Sequence, residues 1–390
     1  MKKTITFLIL IITIFNLIMN FYSVQATEIE EIQDINNLET YSPCIAMIEE
    51  DTGDILYDKK AFEKMYPAST TKIMTAILTI ENCNLYDAAT VSYNAIASVP
   101  SSYTRANLQV GEVLTIDDLL YTTLIPSAND AANVLAEHIG GSIESFATMM
   151  NTKASEIGCK NTNFTNPSGV HNENHYTTAY DLALIARYAM GLEKFREIVS
   201  TTTYSLPDTD WYNADMSIYN GIRKFNNSNA LIKPEFKNDY YEFATGIKTG
   251  YTNPAKDCVV ASAKKDNVEF IIVVLGAGNL ENGRRQKYVD CINLFNFAFD
   301  NYTSKYVDLQ EEKKNSLTFN DILENQKLSA DQKSNVISKV LVVIILISIL
   351  KILQNEISSK FLNRKRKNIK RKKRKKNYHD YGRVNYFKNY

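Results

Sequence analysis

The chain has 390 residues, 45% of them hydrophobic and 23% charged. That suffices for two or three domains with a sizeable core, and it excludes collagen, a small disulfide scaffold and a fully disordered chain. Lysine plus arginine equal aspartate plus glutamate at 44 each, but residues 351–390 hold 15 basic and 2 acidic side chains, leaving 29 basic against 42 acidic in residues 1–350; phosphate would repel so acidic a body, which argues against a nucleic-acid partner.

Residues 1–26 read as a secretory signal peptide: Lys2 and Lys3, an apolar run from Phe7 to Met19, then Val24-Gln25-Ala26 with small residues where a signal peptidase cuts. A polar segment, 27–41, follows. CIAMIEEDTGDILYDKK predicts two strands joined by a turn at Asp51-Thr52-Gly53. Pro67-Ala68-Ser69 opens a helical run, and apolar residues at three- and four-residue spacing predict a mostly helical middle from about Thr115 to Leu192. The period then changes. YEFATGIKTGYT, DCVVASAKKD and VEFIIVVLGAG read as strands, and a last amphipathic helix covers about Arg284 to Asn301. Strands, helices, then strands and a helix suggest an antiparallel sheet backed by terminal helices, with an all-helical insertion.

Residues 303–335 are polar and read as a linker or stalk. Residues 336–354 include eighteen largely apolar positions, Val336 to Leu353, about 27 Å as a helix and enough to cross a bilayer. The basic segment 355–390 would stay on the cytoplasmic side and could also hold anionic lipid. Five cysteines show no CxxC pattern, and Cys44 and Cys258 read as buried thiols. Four histidines include no HExxH, which argues against a His-based zinc site; no metal or other cofactor is expected.

Three short motifs carry chemistry. In Ser69-Thr70-Thr71-Lys72 the serine and lysine are three apart, so on a helix they share a face and the amine can take the hydroxyl proton. Ser262-Ala263-Lys264-Lys265 has the same spacing but lies in an expected strand, where such residues point to opposite faces. In Ser127-Ala128-Asn129 a hydroxyl can relay a proton and an amide can accept and donate; Ser92-Tyr93-Asn94 matches equally well. In Lys248-Thr249-Gly250 a strand-borne lysine and a hydroxyl can hold a carboxylate, while glycine leaves room for a substrate backbone at the edge.

SxxK, SxN and KTG in this order form the signature of penicillin-recognising serine enzymes. PASTTKIMTA, TLIPSANDAANVLAEHIGG, NFTNPSGVHNENHYTTAYDLALIARYAM, NNSNALI and TGIKTGYTNPAKDCVVASA resemble the D-alanyl-D-alanine carboxypeptidases, the low-molecular-mass penicillin-binding proteins, from about Ser42 to Tyr302. The resemblance implies a catalytic domain over 42–302 with the β-lactamase/penicillin-binding transpeptidase-like fold, an α/β (α+β) architecture. It implies Ser69 as nucleophile, Lys72 as general base and Ser127 as proton relay. Asn129 would bind Lys72 and the substrate amide, Lys248 and Thr249 the terminal carboxylate, and the backbone N–H groups of Ser69 and Tyr251 the oxyanion. The implied substrate is a peptidoglycan stem peptide ending in D-Ala-D-Ala, with β-lactams as acylating mimics. For its role Lys72 needs a neutral amine, and burial and the Lys248 charge would both favour one.

Some positions depart from the family. Lys256 stands where glycine is usual. An arginine that assists carboxylate binding in many members falls at Lys287, with Arg284 and Arg285 just before, leaving the carrier of that role open among the three. A transpeptidase or endopeptidase of the same family is the main alternative. A class A β-lactamase needs a deacylating glutamate about 35 residues past SxN, but residues 160–170 hold no acid and the first is Glu173. A non-catalytic wall-binding protein would not need all three motifs.

Overall fold

The computed structural model describes residues 35, 38–207, 209 and 223–325. The chain divides into two compact units, 1–309 and 310–390. The sheet, the cleft and the helices described below lie in the first, except that the last helix continues past Leu309. The expected signal peptide, apolar span 336–354 and basic tail lie outside the described residues. Among the described residues no helix is long and apolar enough to cross a membrane.

Five strands form one antiparallel sheet in the order β2-β1-β9-β8-β7: β1 (Cys44–Glu49), β2 (Ile55–Lys59), β7 (Ala244–Thr252), β8 (Lys256–Lys265) and β9 (Val268–Ala277). Side chains alternate across a strand, so the apolar runs of β1, β8 and β9 feed two cores at once. Ala46, Ile48, Val260, Ile271 and Val273 face a helical layer, while Ile45, Met47, Val259, Ala261, Ile272 and Val274 enter a second cluster with Leu294, Phe295 and Phe299. Fully burying one such aliphatic side chain is worth about 1.5–3 kcal/mol.

Helix α1 (Lys72–Asn82) is buried from Lys72 to Thr79 and packs within the helical layer. A short α2 (Tyr93–Ala97) precedes the helical middle: α3 (Ile116–Leu124), α4 (Asn129–Gly140), α5 (Ile143–Ile157), α6 (Ala179–Met190) and α7 (Glu193–Ser200). Two small two-stranded antiparallel sheets pair β3 (Ala88–Thr90) with β4 (Val113–Thr115) and β5 (Thr203–Leu206) with β6 (Arg223–Asn226).

The last helix, α8 (Gln286–Asn325), runs further than its amphipathic stretch suggests. No glycine or proline interrupts it after Gln286, so nothing local ends it at Asn301. Its buried Tyr306 packs on Phe270, and the tyrosine hydroxyl reaches Asp54 at 3.1 Å. At the other end of the unit, buried Asp290 accepts the backbone N–H groups of Tyr41 and Ser42, each at 2.8 Å, and Ile35 joins the core beneath α8.

Candidate active site

Ser69 sits in a 3₁₀ turn, Ala68–Thr71, that runs directly into α1. Its hydroxyl caps no helix; it lies 3.0 Å from Lys72 Nζ. Lys72 is fully buried, and its amine also meets Asn129 Oδ1 at 2.8 Å and the Ser168 backbone carbonyl at 2.6 Å. Burial first, then the charge of Lys248, hold this amine well below the usual lysine range, against the opposing pull of Asp130. A neutral amine has two N–H groups and one lone pair. Two of its three neighbours are carbonyl oxygens that can only accept, so they take the N–H groups and the lone pair is left for the Ser69 proton.

Asn129 opens α4, and its Nδ2 donates to Thr104 O at 2.8 Å, which fixes the orientation of its amide. Next to it, fully buried Asp130 accepts the N–H groups of Ala106, Leu108 and Ala131 and so fastens the 104–108 loop beside the site. Ser127, in the loop before α4, has a left-handed backbone (φ 68°), and its buried hydroxyl has no hydrogen-bond partner among the described residues. Ser92, the competing match, instead caps α2 by accepting from Ala95 N–H. Ser262, the competing match for Ser69, lies in β8 and bonds Thr245 Oγ1 at 2.6 Å.

Lys248, Thr249, Gly250 and Tyr251 lie on β7, the edge strand nearest the nucleophile's turn. Lys248 is buried, donates to Thr249 O at 3.0 Å, and is lowered to about 7 by burial and by the charge of Lys287. Thr249 Oγ1 pairs with Ser228 Oγ at 2.6 Å. Glycine at 250, which lines the cleft, has a reason beyond the expected room for substrate. A Cβ there would stand 2.9 Å from Ser69 N and 3.1 Å from Ala68 Cβ, so Gly250 lets the strand press against the turn that carries the nucleophile.

These segments enclose a cleft of about 550 Å³ whose lining includes Ser69, Ser127, Asn129, Ser228, Thr249 and Arg285. Lys287 and Tyr251 also reach it. Arg284 turns elsewhere and donates to Asn238 O at 2.6 Å. Lys287 is 2% exposed and held by Asp257 at 2.5 Å, which leaves Arg285 as the cleft arginine.

Ser168 and Ser228 escaped sequence reasoning. Ser168 acts through a main-chain carbonyl, which has no side-chain signature. The signal that could have found it is Gly169, whose φ is +81° and whose added Cβ would fall 1.8 Å from Ala68 O. Ser228 sits in NNSNALI, where nothing local marks its hydroxyl as facing Thr249.

Residues 32–279 match the D-alanyl-D-alanine carboxypeptidase family of serine peptidases. The chain belongs to this family. The D-alanyl-D-alanine carboxypeptidase DacF of Bacillus subtilis (strain 168) is 38% identical over 264 residues, 66% of this chain and 61% of that protein. A D-alanyl-D-alanine carboxypeptidase of Streptomyces sp. (strain K15) is 32% identical over 260 residues, 64% of this chain and 84% of that protein. Among solved structures, the Streptomyces K15 DD-transpeptidase aligns with a TM-score of 0.59 at 30% identity, covering 67% of this chain and 98% of that one. The sheet and helical layers described above are thus the fold of the penicillin-binding DD-peptidases. Lys256, where the resemblance led to the expectation of glycine, has an exposed, left-handed backbone (φ 60°), a conformation glycine adopts more readily.

Proposed function

We propose that this protein is a serine D-Ala-D-Ala carboxypeptidase acting on peptidoglycan stem peptides. The arrangement around Lys72 Nζ carries the reading: two carbonyls occupy its N–H groups and its lone pair faces the Ser69 hydroxyl. Ser69 Oγ attacks the carbonyl of the penultimate D-alanine as its proton passes to Lys72. The backbone N–H groups of Ser69 and Tyr251 hold the oxyanion, an interaction worth roughly 10²–10³ in rate for each strong donor. Ser127 relays that proton from Lys72 to the departing D-alanine nitrogen, and the C–N bond breaks. Water then attacks the ester, giving one proton to the Ser69 oxygen and its hydroxide to the carbonyl of the released, shortened peptide. Thr249, Lys248 and Arg285 supply hydroxyl and positive charge for the terminal carboxylate, and no metal or other cofactor takes part in these steps.

β-Lactams would acylate Ser69 because their ring amide and carboxylate mimic the D-Ala-D-Ala end. A fluorescent penicillin is expected to label the purified protein and to leave Ser69→Ala unlabelled; equal labelling of the variant would refute Ser69 as nucleophile. The relation to a DD-transpeptidase supports a second reading, in which an amine from another peptide replaces water. Free D-alanine without cross-linked dimer from a pentapeptide selects the carboxypeptidase.

For location, the N-terminal signal pattern, the apolar run 336–354 and the basic tail 355–390 support a catalytic body outside the membrane and a cytoplasmic C-terminus. Protease added to intact cells should remove the body and spare the tail. Loss of the tail with the body intact would reverse this topology.

A further inference from the structure

His175 lies outside the three motifs and is 2% exposed. Its Nδ1 receives the Thr165 backbone N–H at 3.0 Å, and a backbone N–H can only donate. Nδ1 is therefore the bare nitrogen of a neutral ring and Nε2 carries the proton. Nε2–H lies 2.9 Å from Thr71 Oγ1, whose own hydroxyl donates to Ala68 O at 2.8 Å. The direction of the chain is thus set throughout, from Thr165 N–H to the ring, from the ring to Thr71, and from Thr71 to the Ala68 carbonyl.

That carbonyl belongs to the same peptide plane as the Ser69 N–H. In a trans peptide the C=O and N–H point in opposite directions, so whatever holds one aims the other. The plane needs such a hold, because Ala68 has a left-handed backbone (φ 48°), a conformation that crowds the Cβ against the following carbonyl. Gly169 packs on the same plane, and its loop is the one that brings the Ser168 carbonyl to Lys72.

We propose that His175 is a positioning residue for the oxyanion donor: acting through Thr71, it orients the Ala68–Ser69 peptide so that the Ser69 N–H faces the developing oxyanion. The proposal rests on the acyl-enzyme reading above. An oxyanion contact acts mainly in the transition state, so its misalignment lowers the acylation rate and leaves ground-state binding nearly untouched.

The test uses the full-length protein and a penicillin carrying ¹³C at its β-lactam carbonyl. Thr71→Val removes the relaying hydroxyl at nearly constant shape, Thr71→Ser restores it, and His175→Phe removes both ring nitrogens. The acylation rate constant, resolved from the non-covalent binding constant, should fall roughly tenfold to a hundredfold in Thr71→Val and His175→Phe. Thr71→Ser should recover most of that loss. Isotope-edited infrared spectra should show the acyl-enzyme ester carbonyl at higher frequency in the two damaged variants, since a weaker oxyanion hole polarises it less. Rates counted per labelled site keep a folding defect separate from this effect. If His175→Phe does not fold, Thr71→Val decides alone. An unchanged rate and band, or a loss confined to binding, overturns the proposal. Wild-type protein that takes no label would instead overturn the acyl-enzyme reading itself.

Discussion

Lys248 shows how much chemistry a single burial imposes. Its amine is lowered to about 7, against 10.5 for a free lysine, because it is buried and near Lys287. In the empty site at pH 8 it is therefore mostly neutral. A bound carboxylate favours the charged form and raises its pKa, so binding an anionic inhibitor at pH 8 should draw a proton from the buffer. Calorimetry in two buffers of different ionisation enthalpy measures this uptake, and Lys248→Met should lose it. The same depression has a consequence for stability. Between pH 7 and 10.5 the unfolded chain holds a proton at this position that the folded chain lacks, so its contribution to stability rises with pH over that window. At this scale the sequence was legible wherever chemistry sits in a side chain at a telling spacing. Ser69 and Lys72 meet because a turn leading into a helix brings residues three apart together, while Ser262 fails because a strand does not. Ser168 was illegible because its contribution is a carbonyl that every residue possesses. Arg285 could not be separated from Arg284 and Lys287, because only the packing of Asp257 and Asn238 distinguishes them.

Strands β1, β2, β7, β8 and β9 could be read from short β-rich runs bounded by turn residues, and the buried helices from apolar residues at three- and four-residue spacing. The end of α8 could not, since its continuation beyond Asn301 depends on the absence of a breaker and on the docking of Tyr306. The 3₁₀ turn at Ala68–Thr71 and the loop around Gly169 were equally hidden, because their shape depends on each other. Gly169→Ala tests that dependence. The variant would force a Cβ to within 1.8 Å of Ala68 O on a residue with φ +81°, and the 68–71 turn would have to move. The expected result is a loss of about 1–3 kcal/mol in stability, read by denaturant titration, together with slower penicillin labelling. Normal labelling would mean that the loop adjusts without disturbing the nucleophile.

Across the whole catalytic unit, the cleft is assembled from parts far apart in sequence: a turn before α1, the loop before α4, the edge strand β7 and the start of α8. Asp290 ties the segment at Tyr41 and Ser42, just before β1, to the last helix through one buried carboxylate. This design leaves a debt at Ser127, whose left-handed backbone opposes folding and whose hydroxyl has no partner among the described residues. Ser127→Gly relieves the two together and should raise thermal stability by roughly 1–2 kcal/mol while nearly abolishing turnover. A fall in melting temperature would show that the hydroxyl is satisfied in solution. Directed selection for heat tolerance alone would thus be drawn to position 127 and would yield a sturdier, silent protein, so a screen for robust variants of this chain has to score antibiotic capture alongside survival.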